Sequence, residues 1–143
     1  MIKYIKKILL KRKLRKIKHK DIKLFSFNGI NTYAQICDIY DGDTFKIIFF
    51  LDKKIIKHKI RLMGIDTPEL RTKDEDEKKR GYEAKHFLED IVKQHNNIMK
   101  VKLYDFDKYG RLLCDVYTNK GERVTDILIK NNHGYAYFGG TKQ

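Results

Sequence analysis

The sequence predicts a mainly β domain with helices (an α+β fold): a five-stranded Greek-key barrel with two packed helices, preceded by a basic N-terminal segment. Three observations lead to this prediction. Five short segments alternate apolar and polar residues or are dense in β-branched and aromatic side chains, as strands are. Turn-forming pairs such as Asp41-Gly42 separate these segments. One longer segment, after the third strand, has the 3.6-residue apolar period of a helix.

The first 25 residues differ from the rest, and we assign residues 1–25 to an N-terminal arm and residues 31–143 to the folded domain. Residues 1–20 contain ten Lys or Arg and no acidic residue, whereas the remaining chain holds 22 basic and 19 acidic residues. Apolar side chains recur among these lysines. The pattern fits a basic amphipathic helix that lies on an anionic membrane surface or on nucleic-acid phosphates. A solvated, partly disordered arm is the simpler alternative.

Composition limits the class of protein. A formal net charge of +13 indicates a polyanionic partner, but most of this charge lies in the arm, so charge alone does not predict a function. No apolar run reaches the roughly 20 residues that a membrane span needs, and lysines interrupt any signal-peptide core. The compartment is unknown, and these two absences favour an intracellular location. Cys37 and Cys114 are expected on strands as small buried side chains, with a disulfide between them as the less favoured alternative.

The first three strands are expected to form a meander. Thr32–Tyr40 is the first strand, and it ends at the Asp41-Gly42 turn. Thr44–Leu51 is a dense run of β-branched and aromatic residues, and Ile55–Met63 alternates apolar and polar positions after a short polar turn. Three consecutive strands joined by short turns predict an antiparallel arrangement.

The second half of the chain begins with a polar loop, Leu70–Lys79, and then changes period. Apolar residues at helical spacing define one helix face: Ala84, Phe87, Leu88, Ile91 and Val92. Two further strands follow, marked by Val101 and Leu103 and by Leu112, Cys114 and Val116, and a second short helix is marked by Val124, Ile127 and Leu128. The order β-β-β-α-β-β-α is typical of a small barrel of the oligonucleotide-binding (OB) type.

Three polar clusters lie at the turns and strand ends of this barrel: Asp41-Gly42-Asp43-Thr44, the segment from Arg61 to Glu69, and Asp107-Lys108-Tyr109-Gly110-Arg111. Carboxylates at such positions can converge on a hard cation, and Ca²⁺ prefers oxygen ligands in a tolerant geometry. Asp43, Asp66 and a backbone carbonyl near Thr67 would provide a sparse oxygen set. No His or Cys set has the spacing of a zinc site.

The same clusters contain groups suited to phosphodiester cleavage. Glu69 would orient or deprotonate the attacking water, and Arg61 and Arg111 would grip phosphate oxygens with their planar guanidinium groups. Each cluster taken singly has a structural alternative, however. Asp-Gly and Asp-Lys-Tyr-Gly are ordinary turn sequences, and Thr67-Pro68-Glu69 is also a common helix start.

Together, the clusters resemble the staphylococcal-nuclease (thermonuclease) family. Its pattern is D-G-D-T, then R-L-x-x-x-D-T-P-E, then an E-A pair before a helix, then D-K-Y-G-R, and all of these occur here in order, with Glu83-Ala84 as the E-A pair. The resemblance covers residues 32–138. It implies an OB-type barrel that hydrolyses single- and double-stranded DNA and RNA with little sequence selectivity. It also implies Ca²⁺ dependence, attack on the phosphate by a metal-bound water, and 3′-phosphate products.

The resemblance also implies a role for each matching residue. Asp43 and Asp66 would be the calcium carboxylates and Thr67 the residue that gives a backbone carbonyl, while Glu69 would position the attacking water. Arg61 and Arg111 would stabilise the charge that develops on the phosphate. All of these residues are present, which favours an enzyme over the alternative, a catalytically inactive nucleic-acid-binding module of the same fold.

Further residues match positions at the periphery of the active site in this family. Asp41 resembles an acid that acts on the metal through water, and Lys108 and Tyr109 resemble groups that contact a terminal phosphate. Tyr135 or Tyr137 would stand where an aromatic ring stacks on a base, with a plain packing role as the alternative. The family precedent implies a monomer.

Overall fold

The computed structural model describes residues 1–139. Within this part of the chain there are seven strands and three helices. In chain order they are α1 (Ile2–Arg15), β1 (Asn31–Cys37), β2 (Thr44–Leu51), β3 (Lys54–Leu62), β4 (Ile65–Asp66), α2 (Glu75–Gln94), β5 (Ile98–Phe106), β6 (Leu112–Tyr117), α3 (Val124–Lys130) and β7 (Tyr135–Ala136).

Five of the strands close into a barrel in the order β1-β2-β3-β6-β5, with β5 pairing back onto β1. The β3–β6 pair is parallel, and the other four pairs are antiparallel. The predicted OB-type barrel is confirmed. The first strand is shorter than predicted, because it ends at Cys37 and the next residue, Asp38, has a left-handed backbone (φ 48°) that a strand does not accommodate.

The core fills the barrel and the space beneath α2. Alternate residues of β2 point inward, and Phe45, Ile47 and Phe49 are at most 2% exposed. The helix α2 buries Ala84, Leu88, Ile91 and Val92, the face that its sequence period predicts. Both cysteines lie on strands as expected and neither is in a disulfide. Cys114 is fully buried, and burial raises the pKa of its thiol, whereas Cys37 at the end of β1 is only partly buried.

The start of α2 differs from the prediction, which placed a polar loop up to Lys79. The helix begins at Glu75, because the carboxylate of Asp74 accepts hydrogen bonds from the amides of Asp76 (3.0 Å) and Glu77 (3.2 Å) and so caps the helix. Glu75, Asp76 and Glu77 fill the first turn, where negative charge is stabilised by the helix dipole. The acidic run is therefore a helix start.

A second, two-stranded sheet was not predicted. In it β4 pairs with β7, with Ile65 opposite Ala136 and Asp66 opposite Tyr135. Strands of two residues carry no recognisable hydrophobic period, which explains why the sequence did not reveal them. The pairing fixes the backbone on either side of Asp66.

The N-terminal arm contains the helix α1, followed by a single 3₁₀ turn at His19–Asp21. None of the residues of α1 is buried, and large apolar side chains such as Ile2 and Leu9 are 72% and 50% exposed. Over residues 1–139, the helices are too short or too polar to cross a membrane.

A buried polar network ties α3 to the end of β3. Asp115 is 4% exposed, and its carboxylate accepts hydrogen bonds from the Tyr104 hydroxyl and from Arg123 Nε, each at 2.7 Å. Arg123 Nη2 and Thr125 Oγ1 in turn donate to the Met63 carbonyl at 3.2 and 2.9 Å. The network therefore holds the loop between β3 and β4, which leads directly into Asp66.

Replacing Tyr104 with phenylalanine is expected to change how stability depends on pH. Burial, together with the hydrogen bond to Asp115, raises the pKa of Tyr104 to about 12 from an ordinary value of 10.0. Because the folded state keeps the phenol protonated, its contribution is complete below pH 10 and is lost as the pH rises toward 12. Urea unfolding from pH 8 to 11.5 should show Tyr104→Phe less stable by about 1–2 kcal/mol at pH 8, with the difference shrinking above pH 10. A constant difference would contradict this role.

Candidate active site

The turn between β1 and β2 places Asp43 at the mouth of the barrel. The carboxylate of Asp41 accepts a hydrogen bond from the Asp43 amide (3.0 Å), an Asx turn that fixes the local backbone. The Leu62 amide donates to the Asp43 carbonyl (2.8 Å), which extends the β2–β3 pairing up to Asp43. Asp43 is thereby held beside the end of β3, with only 5% of its surface exposed.

Two glycines let separate segments approach this turn closely. A Cβ atom on Gly42 would lie 2.9 Å from Thr67 Cγ2 and 3.0 Å from Ala84 Cβ, so any larger residue would force the turn away from its neighbours. A Cβ on Gly81 of α2 would lie 3.0 Å from the carbonyl oxygens of Pro68 and Glu69. The helix therefore presses the segment from Asp66 to Glu69 against the Asp41–Thr44 turn.

Thr67 is bonded directly to Asp43. Its amide and its hydroxyl both donate to Asp43 Oδ2, at 3.0 and 2.9 Å, while Thr44 Oγ1 donates to Asp43 Oδ1 at 3.0 Å. Thr67 is 3% exposed and does not cap a helix, so the helix-start alternative for Thr67-Pro68-Glu69 is wrong, since α2 begins at Glu75. Thr67 joins the second polar cluster to the first.

Arg61 lies between the two buried aspartates. Its Nη1 is 3.0 Å from Asp43 Oδ2 and donates to the Ile65 carbonyl at 2.8 Å. Its Nη2 donates to Asp66 Oδ1 at 3.2 Å. The Tyr135 hydroxyl, brought in by the β4–β7 pairing, donates to Asp66 Oδ2 at 2.8 Å. One guanidinium thus faces two carboxylates, and the cluster keeps a net negative charge.

Asp41 adds to the negative potential at this point. Burial and the neighbouring charge of Asp43 together raise the pKa of Asp41 to about 7. Carboxylates crowded in this way favour a bound cation, because a cation removes the repulsion that otherwise drives protonation.

The donor set of the cluster suits a hard cation. Asp43 and Asp66 offer carboxylate oxygens to the adjoining cleft, and no His or Cys side chain of residues 1–139 lines it. Over residues 1–139, no group of three or more His, Cys, Asp and Glu side chains could hold a metal ion. A cation bound here would therefore keep most of its coordination positions for water and phosphate oxygens, which calcium tolerates.

Arg111 is oriented by an ion pair at the β5–β6 turn. Its Nε donates to Asp107 Oδ2 at 2.7 Å, and its amide donates to Asp107 Oδ1 at 2.9 Å. Although partial burial alone would raise the pKa of Asp107, the hydrogen bonds from Arg111 and from the Tyr109 amide lower it. The guanidinium also lies over the Tyr109 ring, 5.5 Å from its centroid. One side of the Arg111 guanidinium is therefore held by the protein. Its outer nitrogens are suited to binding an anion.

Asp107 is expected to act as a positioning residue for Arg111. Asp107→Asn removes the charge-assisted bond to Nε but keeps an acceptor for the backbone amides of the turn. For the nucleic-acid hydrolysis that the sequence predicts, we expect kcat to fall about tenfold, by analogy with the loss of one charged hydrogen bond, with a smaller change in KM. An unchanged kcat would show that Arg111 finds its orientation without Asp107.

These groups surround one open cleft of about 900 Å³. Most of the residues that the sequence singled out line this cleft: Asp41, Asp43, Arg61, Asp66, Glu69, Lys108, Tyr109, Arg111 and Tyr137. Glu69 is exposed on the segment that follows Asp66, and its amide donates to Glu77 Oε1 of α2 at 3.3 Å. Thr67 is buried behind the cleft on Asp43, and Tyr135 contacts Asp66.

Three groups that shape this site had no role predicted from the sequence. Asp107 orients Arg111, and Arg123 and Thr125 hold the Met63 carbonyl. An aspartate at the start of the Asp-Lys-Tyr-Gly turn was a usable signal, since such residues commonly bond the amides that follow. Arg123 and Thr125 gave no signal, because they contact Met63 across 60 and 62 positions of sequence.

Comparison with known proteins decides the family. The model of a family described as staphylococcal nuclease homologue matches residues 59–142, more than half of the chain. The chain belongs to the staphylococcal nuclease family. The matched part of this family member includes Arg61, Asp66, Glu69 and Arg111, and it begins after Asp43. The resemblance expected from the sequence is confirmed.

Curated relatives agree with this membership. The chain is 30% identical over 99 residues to a probable staphylococcal-like nuclease of Oryza sativa subsp. japonica, covering 68% of this chain and 24% of that protein. It is 33% identical over 113 residues to the endonuclease YhcR of Bacillus subtilis, covering 74% and 9%. It is 31% identical over 101 residues to a staphylococcal-like nuclease of Arabidopsis thaliana, covering 69% and 28%. The chain spans less than a third of the length of each of these relatives.

Proposed function

We propose that this domain is a Ca²⁺-dependent nuclease that hydrolyses phosphodiester bonds in DNA and RNA with little sequence selectivity and leaves 3′-phosphate ends. The observation that carries the proposal is the meeting of Asp43, Asp66, Arg61, Glu69 and Arg111 around one cleft. Family membership supports it, since the relatives are named as nucleases, one of them as an endonuclease.

The carboxylates of Asp43 and Asp66 and the carbonyl of Thr67 would hold the calcium ion. When bound, calcium would neutralise the cluster and polarise a phosphate oxygen as a Lewis acid. Arg61 already bridges both carboxylates, so it holds them in place and presents positive charge beside the position where a phosphate would sit. Asp41 fixes the turn that carries Asp43 and adds negative potential near the ion.

Glu69 and Arg111 would act on the reacting groups. Glu69 lies on the cleft, where its carboxylate would orient a water molecule and accept its proton as the water oxygen bonds to phosphorus. The bond between phosphorus and the 5′ oxygen of the next nucleotide breaks in this displacement. That oxygen takes a proton from solvent water and leaves as a 5′-hydroxyl, and the phosphate stays on the 3′ oxygen. Arg111, held by Asp107, would bind the phosphate oxygens whose charge grows during this step.

Low sequence selectivity follows from the chemistry of the cleft. The cationic groups of the cleft would bind phosphates, which carry no sequence information; these groups are Arg61, Lys108 and Arg111. Tyr109 is 71% exposed on the turn, with Lys108 Nζ 5.1 Å from its ring centroid, and this pair would contact a terminal phosphate. Tyr137 on the cleft wall would stack on a base of any identity. We propose Tyr135 for the same role only in second place, because its hydroxyl is bonded to Asp66.

The test is cleavage of a fluorescently labelled single-stranded DNA and of an RNA of the same sequence, with Ca²⁺ or with EDTA. We expect wild-type cleavage to require Ca²⁺ and Glu69→Gln to lower kcat by about 10²–10⁴-fold, the usual contribution of general acid–base catalysis. Glu122→Gln, an exposed glutamate outside the cleft, is the matched control and should cleave normally. Binding without cleavage under any divalent ion would favour the alternative, an inactive nucleic-acid-binding module.

We also propose that the arm attaches this domain, as a monomer, to an anionic membrane surface. Residues 1–20 hold ten basic residues and no acid, seven of the ten lie on α1, and Ile2, Ile5 and Leu9 share one exposed face of that helix. This combination fits the interface of an anionic bilayer. The full chain is expected to sediment with phosphatidylserine-containing vesicles but not with neutral ones, and Ile5→Asp combined with Leu9→Asp should abolish sedimentation. Equal sedimentation of this variant, or loss of nucleic-acid affinity in it instead, would contradict the membrane role.

A further inference from the structure

A row of aromatic and basic side chains crosses the outer wall of the barrel, formed by β1, β5 and β6. Tyr33 of β1 is the register partner of Lys100 of β5, and Lys100 is the register partner of Tyr117 of β6. Directly opposed residues in a sheet lie about 4.5–5.5 Å apart at Cβ, so the lysine stands between two tyrosines. Tyr33 is 66% exposed, so its ring is accessible from solvent.

The row lies in a groove of about 560 Å³. Its lining contains a second lysine, Lys102, and the amide side chains of Asn31 and Asn119, and no carboxylate of residues 1–139 lines it. The nearest acid on β6 is Asp115, which is buried and paired with Arg123. The groove is therefore positive, although the domain as a whole carries little net charge.

We propose that this groove is a second nucleic-acid-binding surface that takes single-stranded nucleotides flanking the bond in the cleft. Lys100 and Lys102 would contact phosphates, and Tyr33 and Tyr117 would stack on unpaired bases, the combination by which proteins bind single strands without sequence preference. A duplex has no unstacked bases to offer, so the groove selects single strands. Lysine is depleted at protein–protein interfaces, so Lys100 and Lys102 favour a polyanion over a protein partner.

The strand β6 connects the groove to the cleft. Leu113 lines the cleft and Tyr117 lines the groove, and both lie on the outer face of β6 because they are four residues apart. Four residues of strand span about 13 Å, a distance that a few nucleotides cover. The claim that the bound nucleic acid runs from the groove into the cleft rests on the proposed nuclease function. Binding of nucleic acid in the groove does not depend on catalysis.

Binding of a labelled 20-nucleotide single strand tests the groove, measured by fluorescence anisotropy in EDTA so that no cleavage occurs. We expect Tyr33→Ala to weaken binding about tenfold, as the loss of one stacked base does. Lys100→Gln should lower the slope of log K against log salt by about 0.7, the value for one phosphate contact on a single strand. Tyr82→Ala on α2 and Lys57→Gln on β3, both exposed and outside the groove, are the matched controls.

Substrate length separates this inference from the proposed function. Tyr33→Ala and Lys100→Gln should cleave a trinucleotide at the wild-type rate and a 20-nucleotide strand with a raised KM, and duplex binding should change less than single-strand binding. Unchanged affinity of these variants for the long single strand would overturn the proposal that the groove binds nucleic acid, whatever the catalytic result. If wild type cleaves nothing while these variants bind the strand less tightly, the groove stands and the nuclease proposal fails.

Discussion

Replacing Arg61 with glutamine is expected to abolish cleavage and to destabilise the metal-free protein, whereas Arg111→Gln is expected to abolish cleavage alone. The sequence predicts the same role for both arginines, and both line the cleft. Their surroundings differ, because Arg61 contacts two aspartates that are 5% and 7% exposed, whereas Arg111 pairs with Asp107 and lies over the Tyr109 ring at the edge of a turn.

The difference follows from what each substitution leaves behind. Without Arg61, Asp43 and Asp66 would lose the guanidinium that both contact, and removing one partner of a buried pair typically costs about 3–5 kcal/mol. The bonds from Thr67 and Tyr135 stay in place and put the expected loss at the lower end of that range. Arg111 lies on a partly exposed turn, so water solvates Asp107 once its partner is lost, and the free energy of unfolding should change by less than about 1 kcal/mol.

The loss of kcat, unlike the loss of stability, is expected to be similar in the two variants. Each substitution removes a cation that acts on developing phosphate charge, and the loss of one such donor typically lowers kcat by about 10²–10³-fold. Urea unfolding in EDTA and single-turnover cleavage in Ca²⁺ would separate the two effects. If Arg61→Gln unfolded at the wild-type urea concentration, Arg61 would not be the main counter-charge of the two aspartates.

The helices and strands of this fold could be predicted because the apolar pattern of each segment shows which of its faces is buried. Every barrel strand alternates or is densely apolar, and the stripe on α2 matches its buried face. The cluster residues could be found because turns and strand ends concentrate at the mouth of a barrel. What sequence alone did not give is the set of contacts between clusters. The bonds from Thr67 to Asp43 and from Tyr135 to Asp66 span 24 and 69 positions.

The missed helix start shows a related limit. The acidic run beginning at Asp74 looks like a solvated loop when only hydrophobicity is considered, since it has no apolar period. Its position before the α2 stripe was the better signal, because an aspartate followed by acidic residues is a common N-terminal pattern of helices. The consequence reaches the site, since this first turn supplies Glu77, which accepts the Glu69 amide and so fixes the backbone that carries Glu69.

Calcium is expected to raise the melting temperature of the wild-type protein, and Asp43→Asn is expected to remove that rise together with cleavage. A ligand that binds only the folded state stabilises it by about 2.7 kcal/mol at one hundred times its Kd. Asp43 would be a calcium ligand and cannot be replaced by a neutral amide without loss of affinity, because calcium binding depends on ligand charge. Asp38→Asn is the matched control, as Asp38 is exposed and paired with Lys46 and Lys57.

The metal-free protein should respond differently to the same substitution. Burial and the charge of Asp43 together raise the pKa of Asp41, so removing that charge relieves repulsion while it weakens the bonds from Thr67, and the two effects oppose each other. Melting with and without Ca²⁺ therefore isolates the cation. If the calcium-induced rise survives in Asp43→Asn and disappears in Asp66→Asn, Asp66 and the Thr67 carbonyl hold the ion, and Asp43 serves to fix Thr67 and Arg61. If it survives in both variants, calcium binds elsewhere and these carboxylates have a different role.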